Sequence, residues 1–142
     1  MTVKEYLSQA FVLRKLVRAK ESRIQDLRER QVSLGGALSD VRVQTSIVQD
    51  TVGSTTAALL DLIAECRQDI EELIRTQREI ELTIKMVGRN DLQLVLFERY
   101  VNLKNWEDIA ADNNYSWDTV HRKHRAALAW IEKSVWNRTL HL

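Results

Sequence analysis

The chain contains no proline and only four glycines in 142 residues. Proline interrupts helices more strongly than any other residue, and glycine is the residue that most easily enters tight turns. A chain without the first and with little of the second is expected to form long helices joined by few turns. Apolar residues make up 44% of the sequence, which is enough for a packed core and argues against a disordered chain. We therefore expect an all-α protein.

Cysteine is nearly absent as well. The single Cys66 excludes an internal disulfide and leaves no thiol cluster for zinc, so its simplest role is that of a small core residue. No apolar run near the N-terminus resembles a signal peptide, and none approaches the roughly 18 residues of a membrane span. We expect a protein of the cytoplasm that has no membrane partner.

Motifs for catalysis are also missing. The sequence has no glycine-rich phosphate loop, no nucleophile elbow, and no H-E-x-x-H or C-x-x-C pattern. His121 and His124 have i,i+3 spacing on one predicted helix, but zinc would need further ligands. We expect no catalytic residues, no cofactor and no metal, and a role other than that of an enzyme.

The net charge of +1 is lower than is usual for a DNA-binding protein, so the useful charge signal is local. Between Ser116 and Arg125 the only acidic residue is Asp118. A short basic helix of this kind supports contact with phosphate, although net charge alone does not demonstrate it. The basic and imidazole side chains of this stretch are His121, Arg122, Lys123, His124 and Arg125.

Apolar residues recur at alternating spacings of three and four through the N-terminal part, which is the pattern of a heptad seam. We predict a first helix over Val3–Leu34, begun by a capping box of Thr2 and Glu5 and ended by Gly35-Gly36. Lys20 in the seam either reaches water with its charge or fixes the register of the helices. The seam residues are Val3, Tyr6, Ala10, Leu13, Val17, Lys20, Ile24, Leu27, Gln31 and Leu34.

A second seam of similar length follows. Residues 37–55 are rich in turn and cap formers, and we predict a loop there, with Val41-Arg42-Val43 as a candidate for a brief strand. We predict a second helix over Thr56–Val87. Gly88-Arg89-Asn90 is predicted to break the helix, and Asp91 to cap the next one. The seam residues of the second helix are Leu59, Ile63, Cys66, Ile70, Leu73, Gln77, Ile80, Ile84 and Val87.

Two seams joined by a loop can fold back as an antiparallel hairpin. A two-helix hairpin is thin, and the apolar residues beside its seams would stay exposed in a monomer, which favours pairing with another copy. We predict that residues 1–88 form a long, coiled-coil-like helical hairpin with a loop over 35–55, and that residues 3–87 make a homo-oligomer. The apolar residues beside the seams are Leu7, Phe11, Leu16, Leu60, Leu62 and Ile74.

The remaining residues, 89–142, have the layout of a small helix-turn-helix DNA-binding domain. Asn105 is predicted to cap a short helix, and Ser116 to cap a second one. Asn113-Asn114 is predicted to form the turn between them, because asparagine tolerates the left-handed backbone conformation. In a helix-turn-helix the second helix enters the DNA major groove.

Three stretches of this domain resemble the DNA-binding region 4 of sigma-70-type factors. Leu96–Tyr100 has the L-x-x-R-Y pattern and Trp106–Ala110 has the W-x-x-I-A pattern. The third stretch, Asn114–Val120, resembles G-Y-S-x-x-T-V, with asparagine where the pattern usually has glycine. Lys123 is a second departure, at a position that is often apolar, and we expect looser packing on that side of the module.

Together with its opening M-T-V-K-E-Y-L-S-Q-A and its heptad region, the chain resembles phage-encoded late-gene transcriptional regulators of the ArpU and RinA type. The resemblance implies a helical N-terminal half and a sigma-region-4-like C-terminal half. It also implies activation of a phage late operon for packaging, structural and lysis genes in the cytoplasm of a bacterial host cell. The implied partners are double-stranded promoter or operator DNA and the host RNA polymerase.

The second helix of the motif carries the predicted DNA contacts. Arg122 and Arg125 are the strongest candidates, because arginine can bridge guanine or phosphate with two hydrogen bonds. Asp118 either accepts from a cytosine amino group or favours the helix N-terminus, and His121 is either a contact or an ordinary surface residue. The full predicted set is Ser116, Trp117, Asp118, Thr119, His121, Arg122, Lys123 and Arg125.

The tryptophans have structural alternatives to a functional role. Trp106 is expected to be a core residue of the motif, because large aromatic side chains mostly serve packing. Trp117 either touches a thymine methyl group or a sugar, or packs back on Tyr100 or Tyr115. Trp130 is expected to close the small core, with a contact to RNA polymerase as the alternative.

Three hypotheses follow. The first is a sequence-specific DNA-binding transcriptional regulator. The second is a DNA-packaging protein similar to a small terminase, or a coiled-coil assembly adaptor. The third is a module whose sigma-like half engages RNA polymerase rather than DNA. Oligomeric state separates the first two, because a dimer or tetramer suits regulation and a large ring suits packaging.

Overall fold

The computed structural model of the chain describes residues 1–37 and 45–136, with side chains described over 1–33 and 53–134. All regular structure in these ranges is helical, as the composition predicts. No helix there combines the length and the apolar character that crossing a membrane requires. The helices are α1 Val3–Leu7, α2 Gln9–Ala37, α3 Thr45–Ile84, α4 Asn90–Leu96, α5 Trp106–Asp112 and α6 Trp117–Ile131, with π-helical turns at Phe97–Val101 and Glu132–Trp136.

The capping box at the N-terminus is confirmed. The Thr2 hydroxyl accepts from the backbone N–H of Glu5 at 3.1 Å, and the Glu5 carboxylate accepts from the N–H of Thr2 at 2.8 Å. The single helix predicted from Val3 is wrong, because α1 and α2 are separated at Ser8. The Ser8 hydroxyl donates to the carbonyl of Lys4 at 2.6 Å, a local hydrogen bond of the kind that competes with regular helix formation.

The predicted ends of the two long helices also need correction. α2 continues through Gly35-Gly36 to Ala37, and α3 begins at Thr45, so Thr45–Thr55 is helical rather than part of a loop over 35–55. Glycine inside a helix costs about 1 kcal/mol, and serine or threonine costs less, so neither need end a helix. The candidate strand Val41-Arg42-Val43 lies outside the described residues.

Residues Leu13–Glu72 make up one of two compact units. Within this unit the ammonium group of Lys20 forms an ion pair with Asp69 and lies 3.9 Å from Glu65. Farther along α2, the Gln31 amide donates to the Thr56 hydroxyl at 2.8 Å. Lys20 contacts a later residue of α3 than Gln31 does, although Lys20 comes earlier in α2, so the two helices run antiparallel here. Among the described side chains of this unit, the buried apolar residues all lie on the predicted seams, at Val17, Leu27, Leu59 and Cys66.

The other unit contains Met1–Val12 and the described residues from Leu73 onward. Its core draws on α1, the start of α2, the end of α3, α4 and α6, so this unit does not begin at the predicted boundary of 88/89. Residues from the start of the first seam and from the end of the second seam are buried together with the C-terminal helices. The buried members of this core are Val3, Leu7, Ala10, Ile80, Ile84, Val87, Leu92, Leu96, Tyr100, Leu103, Ala127 and Ile131.

The connection from α3 to α4 brings the C-terminal helices onto this core. The Gln93 amide donates to the carbonyl of Val87 at 2.5 Å and closes the turn. A Cβ atom on Gly88 would lie 2.9 Å from the Trp130 ring, so the absence of a side chain lets that indole pack on the backbone. The prediction that Asp91 caps α4 is wrong. Arg89 occupies the cap position, and Asp91 lies in the first turn of the helix.

Candidate nucleic-acid interface

The helices α5 and α6 begin as the sequence predicts. The Asn105 side chain accepts from the N–H of Asp108 at 2.8 Å, which caps α5. The Ser116 hydroxyl accepts from the N–H of Thr119 at 3.2 Å, which caps α6. Each cap satisfies a backbone donor that has no partner within the helix. The starting points of both helices are therefore fixed by local chemistry.

The turn between the two helices is also confirmed. Asn114 has a φ of 55°, the left-handed conformation that favours glycine or asparagine. The Asn113 amide donates to the carbonyl of Ile109 at 2.8 Å, and the N–H of Tyr115 donates to the carbonyl of Ala110 at 2.9 Å. These bonds use carbonyls at the end of α5 that the helix itself leaves free. Asn114 therefore forms this turn without a glycine.

A small apolar cluster fixes α6 on α4 and α5. Val95, Ile109 and Val120 are fully buried in it, one from each helix. Trp106, Ala110 and Tyr115 are partly buried against them. The predicted core role of Trp106 is confirmed in this partial form. Val120 turns one side of α6 inward, and the opposite side is left for solvent.

The predicted contact residues divide into two groups. Ser116, Trp117, Asp118, Arg122 and Arg125 are exposed, whereas Thr119, His121 and Lys123 are half-buried. Thr119 and Arg122 are joined by a long side-chain hydrogen bond of 3.4 Å. The first group is accessible to a ligand from solvent, and the side chains of the second group are partly enclosed by contacts within the module.

Lys123 is held by an acidic residue of α4. Its ammonium group lies 2.6 Å from the carboxylate of Asp91 and 5.2 Å from the centre of the Tyr115 ring. The Lys123 ammonium and, next, the Arg89 guanidinium lower the pKa of Asp91 to about 2, so the carboxylate is charged at any physiological pH. The sequence led us to expect looser packing at Lys123, because this position is often apolar. In the structure the ion pair with Asp91 takes the place of an apolar contact.

His121 lies between two indole rings. Its ring centre is 4.8 Å from that of Trp106 and 4.1 Å from that of Trp117. The Nε2 atom of His121 is buried and has no hydrogen-bond partner among the described residues. Trp117 keeps 55% of its surface exposed and packs on His121, a neighbour that neither alternative from the sequence includes. The His121 ring thus supports an exposed indole at the start of α6.

Below this pair lies a buried polar contact. The Tyr100 hydroxyl and His124 Nε2 are 2.6 Å apart. Burial raises the pKa of Tyr100 to about 12 and lowers the pKa of His124 to about 4. At neutral pH the tyrosine therefore donates and the neutral histidine accepts. His124 is therefore a buried structural residue that fixes α6 on the π-helical turn Phe97–Val101.

Arg99, in the π-helical turn Phe97–Val101, lies between two aromatic rings. The centre of its guanidinium group lies 4.5 Å from the Phe11 ring and 4.6 Å from the Trp106 ring. One of its nitrogens donates to the carbonyl of Lys104 at 2.8 Å. Arginine stacks well on aromatic faces. Arg99 therefore joins α2, the π-helical turn and α5, and is used for structure.

One basic residue near α6 was not found from the sequence. Arg89 lines a concavity of about 280 Å³ together with residues of α6. The sequence places Arg89 only in the break between two helices, and no local pattern relates it to a helix that follows about 30 positions later. Its proximity to α6 is a tertiary fact. The concavity is lined by Arg89, Leu92, Thr119, Arg122, Lys123 and Ala126.

The described residues contain no group of three or more histidine, cysteine, aspartate or glutamate side chains arranged to hold a metal ion. His141 of the sequence lies outside them. Comparisons of the chain with family models, with curated proteins and with solved structures found no match.

Proposed function

We propose that the chain is a sequence-specific DNA-binding transcriptional regulator, and that α6 is the helix that enters the major groove. The observation that carries this proposal is the α5–turn–α6 geometry, with Asn114 in the left-handed conformation and Ser116 capping a helix whose outer side is exposed. Two helices joined by such a turn are the motif that places its second helix against base edges.

The side chains on α6 suit that role. Arg122 and Arg125 are exposed and one turn apart, and arginine is the residue that most often reads guanine or bridges phosphate. Asp118 and Trp117 lie in the first turn of α6, the part of a recognition helix that approaches the bases most closely. In this proposal Trp117 contacts a thymine methyl group or a sugar while His121 supports its ring from behind.

The N-terminal helices supply the second part of the proposal. A helical hairpin followed by a sigma-region-4-like helix-turn-helix is the arrangement that the resemblance implies. Leu60 and Ile74 on α3 remain 62% and 60% exposed, and Val12 on α2 remains 69% exposed, in a single chain. Exposed apolar side chains on long helices favour a homo-oligomer through residues 3–87. Two modules held together can then read two half-sites.

The biological setting belongs to the proposal as well. A regulator of this kind would bind double-stranded promoter or operator DNA of a phage late operon in the cytoplasm of the bacterial host cell. Activation would bring the module close to host RNA polymerase, which is the further partner proposed here. A DNA-packaging or coiled-coil assembly protein is the alternative.

The experiment that tests the proposal is selection of preferred duplexes from a random DNA library by the full-length protein, followed by binding measurements. An enriched sequence bound more tightly than its scrambled version supports the regulator. The double variant Arg122→Ala plus Arg125→Ala should lose that preference, because each good arginine–base contact contributes about 1–3 kcal/mol of discrimination.

The matched control removes the same charge elsewhere. The exposed residues Arg23 and Arg30 of α2 can be replaced by alanine in one variant, which should keep the preference. Light scattering on the same samples gives the oligomeric state. A small oligomer fits regulation, whereas a large ring that takes up any duplex would favour packaging. A protein without affinity for DNA at modest salt would exclude both.

A further inference from the structure

The concavity between α4 and α6 contains more positive than negative charge. Arg89, Arg122 and Lys123 line it, and Asp91 is the carboxylate bonded to two of them. Thr119 adds a hydroxyl to the same lining. Three cations against one anion leave an excess of two positive charges at this site, in a chain whose net charge is only +1. The excess is local and is therefore available to an anionic ligand.

Asp91 orders two of these cations without using all their donors. Its carboxylate accepts from Nε of Arg89 at 3.1 Å and from Nη2 at 2.7 Å, and from Nζ of Lys123 at 2.6 Å. A guanidinium group has five N–H donors and an ammonium group has three. Arg89 and Lys123 thus keep donors for a second acceptor while Asp91 restricts their rotamers. A site ordered in advance loses less entropy when a ligand binds.

The size and chemistry of the concavity suit one phosphate group. Its volume of about 280 Å³ is several times the ~30 Å³ that one water molecule occupies in the liquid, so a phosphate and some of its waters can enter. Arginine matches two phosphate oxygens with parallel N–H donors, and lysine adds a point charge. The Thr119 hydroxyl can donate as well. Leu92 and Ala126 form the apolar part of the lining.

We propose that this concavity binds a phosphodiester of the DNA backbone, with Arg89, Thr119 and Lys123 as its donors, while Arg122, which also lines the concavity, reads the bases. The inference rests on the proposed function and deepens it. Lys123 is then a backbone anchor and not a base-reading residue, and Arg89 belongs to the DNA interface. Because phosphate contacts fix the register of a protein on the duplex, the site sets the position of α6 in the groove.

The test is the salt dependence of binding to a short duplex of mixed sequence, measured by fluorescence anisotropy with full-length protein. Removing one phosphate contact makes the negative slope of log K against log[salt] shallower by about 0.9 per module. We expect Arg89→Ala to make the slope shallower by that amount. Its side chain is 59% exposed, so the substitution should leave the fold intact, which circular dichroism checks. Arg23→Ala is the control with the same charge change and should leave the slope unchanged.

Sequence dependence separates the two roles of the interface. Arg89→Ala should weaken binding to an enriched duplex and to its scrambled version by the same factor, since a backbone contact carries no sequence information. Arg125→Ala should instead reduce the difference between the two duplexes. Loss of preference in Arg89→Ala, or an unchanged salt slope, would overturn the proposal.

A free phosphate ion offers the same oxygens as the backbone, so a second arm adds inorganic phosphate without DNA and follows amide resonances of Thr119 and Lys123 by NMR. Shifts with inorganic phosphate, combined with an unchanged DNA salt slope in Arg89→Ala, would assign the concavity to a free anion and overturn the proposal. Wild-type protein that binds no duplex would remove the proposed function itself. If the wild-type protein binds DNA and Arg89→Ala has the same salt slope, only the proposed phosphate site is contradicted.

Discussion

Single side chains on α6 serve two different needs, and the structure separates them. His124 is buried and accepts from Tyr100, whereas Arg122 and Arg125, on the same helix, are exposed. From the sequence these residues form one basic run, because spacing along a helix does not say which side faces the core. Val120 and Ala127, both fully buried, fix the inward side and therefore decide which members of the run remain available.

The lowered pKa of His124 predicts that the protein becomes less stable as the pH is lowered. Burial, followed by the charges of Lys4, His121, Arg99 and Arg125, lowers its pKa to about 4 from 6.5. Below pH 6.5 the unfolded chain takes up a proton that the folded protein refuses, so the free energy of unfolding decreases as pH falls from 6.5 to 4. The full loss is about 3 kcal/mol, since a tenfold change in proton affinity corresponds to about 1.4 kcal/mol. Urea unfolding over this pH range measures it.

Two glutamine variants make the assignment specific. His124→Gln keeps an acceptor for the Tyr100 hydroxyl but has no proton to bind, so its stability should vary much less with pH. His121→Gln removes the neighbouring histidine and should leave most of the dependence in place. If the free energy of unfolding of His124→Gln decreased with falling pH as steeply as that of the wild type, groups other than His124 would cause the pH dependence.

At the scale of elements, the caps and the turn of the α5–α6 motif are predictable because they are local. Asn105 and Ser116 cap their helices through side-chain oxygens that reach backbone donors three residues ahead. The ends of α2 and α3 are not predictable in the same way. Gly35-Gly36 and the serine- and threonine-rich stretch before Thr56 weaken a helix by small amounts, which continuation of the helix can offset.

The turn itself gives a second prediction. Asn114 has a φ of 55°, a conformation that costs other L-residues about 1–2 kcal/mol and glycine almost nothing. Asn114→Ala should therefore lower the free energy of unfolding by about 1 kcal/mol, and Asn114→Gly should leave it nearly unchanged. Urea unfolding of the three proteins measures the order. Equal stability of the alanine and glycine variants would contradict the role given to this conformation.

At the scale of the whole molecule, the seams are used in two separate ways. Residues of the first seam near Val3 and of the second near Ile84 are buried in the same unit as α4 and α6. The middle parts of the seams, including Val17 and Cys66, pack in the other unit. A boundary placed where the heptad pattern stops therefore differs from the boundary set by packing.

The exposed apolar side chains of α3 lead to the prediction at this scale. Leu60 and Ile74 are two heptads apart, so they lie on one side of the helix. If copies of the chain associate through this side, Leu60→Glu plus Ile74→Glu should shift light scattering to a smaller species. Helical content should not change, because both side chains are already exposed. Gln68→Glu, also exposed on α3, is the control that should keep the oligomer.

A single oligomeric state in wild type and in the double glutamate variant would exclude this face from the interface. If the variant becomes monomeric, the proposed binding to DNA should weaken as well, because two linked modules gain from binding together. The loss of affinity without a change in base preference would distinguish weakened association from damage to α6.

The sequence by itself determined what depends on neighbours along the chain. The absence of proline predicts long helices, the three-and-four spacing predicts which residues of α2 and α3 are buried, and Asn105, Asn114 and Ser116 predict the caps and the turn. Each of these predictions follows from residue types and spacings within a few positions of the chain. Tertiary structure alone decided what depends on distant residues. It paired Lys123 with Asp91 across 32 positions and brought Arg89 beside α6, because packing of α4 against α6 places side chains together that no local spacing relates.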